Sequence, residues 1–166
     1  DVTRNRFPTF NDLLDYCAHS ANPIGQLVLH IFSGATDRTI YLSDNICTAL
    51  QLANFWQDVS IDWAKRRLYI PVEDIERFGY TEDDLTQGIY NKRFRNLMEF
   101  QVERTRMYFS AGRPLLDEAV NNLRFELRLT WLGGMTILKK IEQANFDVLS
   151  ARPAISTMDK AGIFMK

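Results

Sequence analysis

Leu50-Gln51-Leu52-Ala53-Asn54-Phe55-Trp56-Gln57-Asp58-Val59-Ser60-Ile61-Asp62-Trp63 combines a line of acids and amides with two tryptophans and a run of apolar residues. On a helix advancing about 100° per residue, Gln51, Asn54, Asp58 and Asp62 fall within a sector of roughly 80°. Leu50 and Ile61 flank that sector on one side, Leu52 and Val59 on the other. Ala49, Ala53 and Ser60 lie behind and let a neighbouring helix come close, with Trp56 and Trp63 between flank and back. A surface helix carries a broad polar face, whereas this one is apolar or small nearly all round. The pattern predicts an interior helix whose strip of acids and amides faces a cavity.

The chain has 166 residues, 46% of them hydrophobic, enough for one domain with a sizeable core. A net charge of -1 gives no reason to expect a nucleic acid or an anionic surface as partner. No apolar run is long enough to span a bilayer, and no signal-peptide pattern opens the sequence. Cys17 and Cys47 lie inside helical patterns without metal-ligand spacing, and read as reduced core thiols of a cytoplasmic protein. The first residue is Asp1 rather than Met, so a processed, trimmed or partial chain is expected.

Residues 1 to 8 read as extended, and a helix begins near Thr9 with Phe10, Leu13, Leu14 and Cys17 at helical spacing. Pro23 can open the next helix, which carries Leu27, Val28, Ile31 and Phe32 and stops at the Ser33-Gly34 glycine signal. Asp37 and Ser43 are both candidate N-caps for the interior helix, expected to run unbroken to about Lys65. Arg66 to Pro71 reads as an extended link. Short helices follow at Val72 to Arg77 and after Thr81. A long amphipathic pattern from Asn91 to about Ala111 uses Phe94, Leu97, Met98, Gln101, Val102, Thr105, Tyr108 and Phe109. The last runs from near Leu116 to about Phe146 with a weak point or kink at Gly133-Gly134, and the tail after Arg152-Pro153 reads as loosely held. The expected fold is all-α, one helical domain over residues 1–166, with short loops making successive helices antiparallel neighbours.

Two carboxylates one helical turn apart repel, by about 0.2–0.5 kcal/mol even on an exposed helix. Asp58 and Asp62 therefore call for positive charge, and Asn54 adds an amide oxygen one turn earlier, with Gln51 extending the line. Oxygen-only donors of this kind suit Mg²⁺, which shares its sphere with water and substrate phosphates. The plainer reading is an ordinary Asp pair on a solvated face, capped by Lys65 or Arg66; the residues alone leave both readings standing. The Lys65-Arg66-Arg67 run is either a solvated helix end or a reach toward a diphosphate. Tyr16 sits on an apolar face, where its hydroxyl needs a partner if buried. His19 and His30 have no partner at ligand spacing.

Gln51-x-x-Asn54-x-x-x-Asp58-x-x-x-Asp62 resembles the second aspartate-rich motif of the squalene/phytoene synthases, head-to-head prenyltransferases with the class I terpenoid synthase helical bundle. Tyr16-Cys17-x-His19-Ser20-Ala21-Asn22-Pro23-Ile24-Gly25, Asn54-Phe55-Trp56-Gln57-Asp58, Arg67-x-Tyr69-x-Pro71, Phe78-Gly79 and Glu126-Leu127-Arg128-Leu129-Thr130 resemble its hydroxysqualene synthase branch, often labelled squalene synthase, in bacterial hopanoid synthesis. The resemblance implies that Asn54, Asp58 and Asp62 bind Mg²⁺ ions that hold the substrate diphosphate, with Gln51 alongside. It implies catalytic roles for Tyr16, Asp58 and Asp62, and contacts to the diphosphate from Tyr16, Arg67, Tyr69 and Arg152. It implies a prenyl diphosphate substrate: presqualene diphosphate converted to hydroxysqualene, or farnesyl diphosphate to squalene-type products. The apolar helix faces would line a tunnel for the prenyl tails, and the lipid product would bring the protein to the inner face of the membrane.

Three departures accompany the resemblance. No match to the family's first aspartate-rich motif is present, since Asp12 and Asp15 are too close together and on the wrong helix. The chain corresponds to rather more than half of a typical member, without its N-terminal helices. A catalytically inactive fragment, a partner-binding helical module and a metal-free lipid-binding bundle are therefore the rival expectations, with self-association or pairing with the N-terminal part. The glycine that usually precedes Arg67 is Arg66 here, which predicts a local change of backbone. By contrast, the aromatic residue that some relatives place in the last long helix is Gly134 here, in agreement with the hopanoid branch.

Overall fold

Caps set the first helices of the computed structural model, which describes residues 5–164. Thr9 accepts from the Asp12 amide while the Asp12 carboxylate accepts from the Thr9 amide, a reciprocal capping box that starts α1 (Phe10–Ser20). Helix α2 (Asn22–Ile31) opens with Pro23 in its first turn, where a missing N–H costs nothing. It ends in a Schellman arrangement, with the Gly34 amide donating to Leu29 O (2.9 Å) and that of Ser33 to His30 O (3.1 Å). The left-handed residue is Ser33 (φ 56°) rather than the glycine that signalled the stop.

Neither expected cap starts the interior helix. Thr36 does, in a box with Thr39, and α3 spans Asp37–Gln57. The helix is also broken where continuity was expected: Asp58 has ψ 15°, and α4 (Val59–Ala64) follows. Beyond the break, α4 meets the N-terminal segment, with the Arg6 guanidinium 5.0 Å from the Trp63 ring centroid. That segment runs beside the link after α4: Leu68 and Val72 amides donate to Asn5 O and Phe7 O, both at 3.0 Å.

Arg66 has φ 61°. Its amide donates to Trp63 O (2.8 Å) and that of Arg67 to Asp62 O (2.9 Å), a second Schellman stop built on a non-glycine residue. The backbone at Arg66 thus adopts the conformation a glycine takes without strain. The left-handed region costs an L-residue about 1–2 kcal/mol, partly offset by the lower unfolded-state entropy of a side-chain-bearing residue. Arg66→Gly is expected to raise the thermal midpoint, by up to about 1 kcal/mol of stability; a lowered midpoint would show that the arginine side chain stabilises the turn.

Short helices α5 (Val72–Arg77) and α6 (Glu82–Thr86) lead to α7 (Lys92–Gly112). The α7 pattern is buried as its spacing predicts, from Phe94 through Leu97, Met98, Gln101, Val102 and Thr105 to Phe109. Trp56, fully buried, donates from Nε1 to Thr105 Oγ1 (2.7 Å) and ties α3 to α7. The two helices nearly touch at Gly112, where an added Cβ would lie 2.8 Å from Leu42 O.

The single last pattern is two helices, α8 (Leu115–Glu118) and α9 (Asn121–Gln143), separated by extended Ala119 and Val120. Helix α9 passes through Gly133-Gly134 without interruption. A Cβ on Gly134 would stand 2.4 Å from Phe109 Cζ and 2.9 Å from Leu50 Cδ2, so this glycine serves close approach to α7 and α3 rather than a bend. The tail is held, contrary to expectation: α10 (Thr157–Phe164) packs on α9, with Lys140 Nζ 2.8 Å from Asp159. The fold is all-α, with no strand and no helix long and apolar enough to cross a membrane among the described residues.

Candidate functional site

The acidic strip lies at the end of α3 and along α4. Residues Leu52, Ala53, Phe55, Trp56, Gln57 and Val59 are buried, Gln51, Asp58 and Asp62 half-buried, and Asn54 exposed. The break at Asp58 leaves the two acids one turn apart, because the Asp62 amide still donates to Asp58 O (2.8 Å) and that of Asp58 to Asn54 O (3.0 Å). Burial first, and then the neighbouring Asp58 carboxylate, push the Asp62 carboxyl up, with Lys65 and Arg67 pulling the other way. A group in that state is relieved by a cation.

Behind Asp62 stands an aromatic wall. The Tyr69 ring is stacked on Phe55 (centroids 3.8 Å, 6°), and the Tyr16 ring lies 6.0 Å from Tyr69 and 5.2 Å from Phe7. Burial and then Tyr69 push the Tyr16 hydroxyl up to about 12, so near neutral pH it is a hydrogen-bond donor and not a base. Asp62, Arg67, Tyr69, Phe55 and Val59 line one narrow crevice. Sequence-derived candidates Tyr16, Asp62, Arg67 and Tyr69 thus meet in one neighbourhood.

Arg152 joins them from the far end of the chain. Its Nε donates to Asp58 Oδ1, and its Nη2 reaches Asp58 Oδ2 (3.3 Å) and Gln57 Oε1 (3.2 Å). Neither Lys65 nor Arg66 forms this pair. Gln57 was not among the residues the sequence singled out, because it falls outside the 80° sector of the strip. It is buried, and its Nε2 donates to Pro153 O.

Along the same face of α3, Ser43, Cys47 and Leu50 continue the strip away from the acids. There the polar line becomes one wall of an apolar cavity of about 460 Å³ between α2, α3, α8 and α9. Leu29, Leu115, Leu123 and Leu127 contribute to its lining. Helix α2 meets the core chiefly through Leu29, while Leu27 and Ile31 of its predicted apolar stripe are 56% and 68% exposed.

The donor set suits a hard cation. Two carboxylates and an amide follow one another at one-turn intervals along the strip, and no group of three or more His, Cys, Asp or Glu able to hold a metal occurs among the described residues. The strip is therefore a half-set of oxygen donors, of the kind Mg²⁺ completes with water and phosphate oxygens.

Comparison with known proteins gives a consistent pattern. The sequence model of the squalene/phytoene synthase family matches residues 1–159. The chain is 33% identical over 177 aligned residues to the phytoene synthase of Arthrospira platensis, covering 96% of this chain and 56% of that protein. The crystal structure of squalene synthase HpnC from Alicyclobacillus acidocaldarius matches with a TM-score of 0.85 at 39% identity, over 88% of this chain and 56% of that one. A dehydrosqualene synthase in complex with ligand shares the fold (TM-score 0.89) at 18% identity, over 98% of this chain and 57% of that one. The chain spans about half the length of the curated relatives it matches.

Proposed function

The chain belongs to the squalene/phytoene synthase family, and from that premise we propose that residues 1–166, as one helical domain, form the part of a prenyl diphosphate enzyme that grips the diphosphate through Mg²⁺ and houses a prenyl tail. One observation carries the reading: a single face of α3 and α4 bears Asn54, Asp58 and Asp62 at one end and opens into the 460 Å³ apolar cavity at the other. A prenyl diphosphate has the same polarity, a charged head on an apolar tail. Substrate pockets are lined in this way, largely apolar with a few placed polar groups.

Asp58, Asp62 and Asn54 would hold the metal, with Gln51 alongside. Bound there, Mg²⁺ supplies the positive charge that a departing diphosphate needs. Arg67, exposed beside Asp62, would contact the diphosphate, and Arg152 would approach it from the other side. Tyr16 would donate a hydrogen bond toward the head, while Tyr69 and Phe55 keep water from that side. The substrate is presqualene diphosphate going to hydroxysqualene, or farnesyl diphosphate going to squalene-type products, in isoprenoid and hopanoid synthesis. The likeness to a squalene synthase at 39% identity supports this choice over phytoene formation. The cytoplasm, at the inner face of the membrane that takes up a lipid product, is the setting this chemistry suits.

The described residues supply one acidic wall, and a lone wall cannot neutralise a diphosphate in a closed site. The 166-residue polypeptide alone is therefore expected to bind farnesyl or presqualene diphosphate in Mg²⁺ but not to turn it over. Fused to the corresponding N-terminal portion of the Alicyclobacillus protein, it should form a hydroxysqualene or squalene-type product that Asp58→Ala abolishes. Turnover by the chain alone above an Asp58→Ala control would overturn the single-wall account, and a fusion insensitive to Asp58→Ala would overturn the site. The exposed apolar face of α2 (Ile24, Leu27, Ile31) favours a second reading, a helical module that pairs with another polypeptide or a second copy. Mg²⁺-independent association without diphosphate binding would support that one.

A further inference from the structure

The Arg152–Pro153 strap crosses the metal strip at the residue where α3 breaks. The Arg152 guanidinium takes Asp58 as a fork, Nε on one carboxylate oxygen and Nη2 on the other. Gln57, 7% exposed, fastens this arrangement from beneath: its side-chain oxygen accepts from Arg152 Nη2 (3.2 Å) and its side-chain nitrogen donates to Pro153 O. The Asp58 carboxylate is 18% exposed and the Arg152 side chain 44%, so the pair is partly withdrawn from water. A divalent ion placed on Asp58 would stand against a fixed guanidinium and share the same two oxygens.

We propose that Gln57 is a positioning residue that holds Arg152 on Asp58, making Arg152 a resident counter-cation which Mg²⁺ must displace to occupy the strip. This rests on the metal reading above. In the metal-free protein the strap neutralises half of the acid pair and keeps the acidic strip from standing open. When metal arrives, Asp58 exchanges its fork for the ion, and the freed guanidinium lies beside the site where an anion would sit. The metal therefore does two things at once, completing the strip and releasing the tail segment between α9 and α10.

The test has two readouts on the purified 166-residue chain. The first is the Mg²⁺ dissociation constant by calorimetry, with Mg²⁺ alone as probe, for wild type, Arg152→Gln, Gln57→Leu and the control Arg38→Gln, which breaks a forked pair with Glu118 away from the site. Arg152→Gln and Gln57→Leu should bind Mg²⁺ about three- to tenfold more tightly, the scale of one half-exposed ion pair, while Arg38→Gln stays at the wild-type value. Tighter binding is a gain that general damage to the fold would not produce. The second is amide exchange across residues 147–156, which should accelerate in metal-free Gln57→Leu and in wild type on adding Mg²⁺. Unchanged or weaker Mg²⁺ affinity in Arg152→Gln, or strap exchange indifferent to both Gln57→Leu and Mg²⁺, overturns the inference while a wild type that binds Mg²⁺ keeps the metal reading. No Mg²⁺ binding by any of the four proteins overturns the metal reading and the competition with it.

Discussion

Replacing Asp74 by alanine is expected to lower the stability of the fold by about 3–5 kcal/mol, read as a lower urea midpoint. Asp74 is 3% exposed, yet lies on a six-residue helix that the sequence marks as little more than a connection. Its carboxylate accepts from Gln101 Nε2 (2.8 Å) and Arg104 Nη2 (2.5 Å), and Arg104 Nη2 also donates to Gln101 Oε1 (2.6 Å). The Arg104 guanidinium lies 3.4 Å from the Phe10 ring centroid, so one buried cluster joins α1, α5 and α7. Burial pulls the Arg104 pKa down, and Asp74 is the main group opposing that shift. Without Asp74, a largely buried guanidinium whose Nε has no hydrogen-bond partner among the described residues would lose its counter-charge. Asp117→Ala, which removes an exposed 3.3 Å pair with Arg128, should by comparison cost less than about 1 kcal/mol. Equal losses in the two variants would mean that the buried cluster does not hold the helices together.

Asp62→Asn is expected to reverse its rank against wild type when metal and diphosphate are added. In EDTA, burial and Asp58 raise the Asp62 pKa, so the ionised carboxylate costs stability above its folded-state pKa, and the cost is relieved as pH falls through that value. At neutral pH the asparagine removes the cost, and the variant should melt slightly higher, by a few tenths of a kcal/mol for a half-exposed like-charge pair. With Mg²⁺ and pyrophosphate at about 100 times the dissociation constant, wild type should gain about 2.7 kcal/mol and the variant almost nothing. A variant less stable than wild type in EDTA, or stabilised as much by Mg²⁺-pyrophosphate, would contradict the role given to Asp62.

Local signals were legible in the sequence. Thr9, Thr81 and Asn91 mark helix starts because an N-cap is decided within four residues. The buried face of α7 follows from spacing alone, and the sector holding Asn54, Asp58 and Asp62 survives a break that ideal geometry does not foresee. What escaped was set by distant partners. The carbonyls ending α2 needed a left-handed residue one position before the glycine, and Ser33 took it. Gly134 reads as a hinge until Phe109 and Leu50 are seen against it. The counter-charge of Asp58 lies 94 residues away, in a tail that looked loose because the partners of Arg152 and Asp159 sit on α3 and α9. Of the apolar residues at helical spacing in α2 and its C-cap, Leu27, Ile31 and Phe32 are exposed, and it is Leu29, outside that pattern, that is buried in the interior.

In the function proposed above, the Asp58–Asp62 strip grips a diphosphate through a divalent cation. This grip is measured by calorimetric titration of inorganic pyrophosphate into the chain, in Mg²⁺ and in EDTA, for wild type and the Asp58→Asn/Asp62→Asn double variant. Wild type should bind in Mg²⁺ and not in EDTA, and the double variant should lose about 100-fold or more in affinity, the equivalent of about 2.7 kcal/mol. Equal binding in Mg²⁺ and EDTA, or a double variant that binds like wild type, would contradict the account.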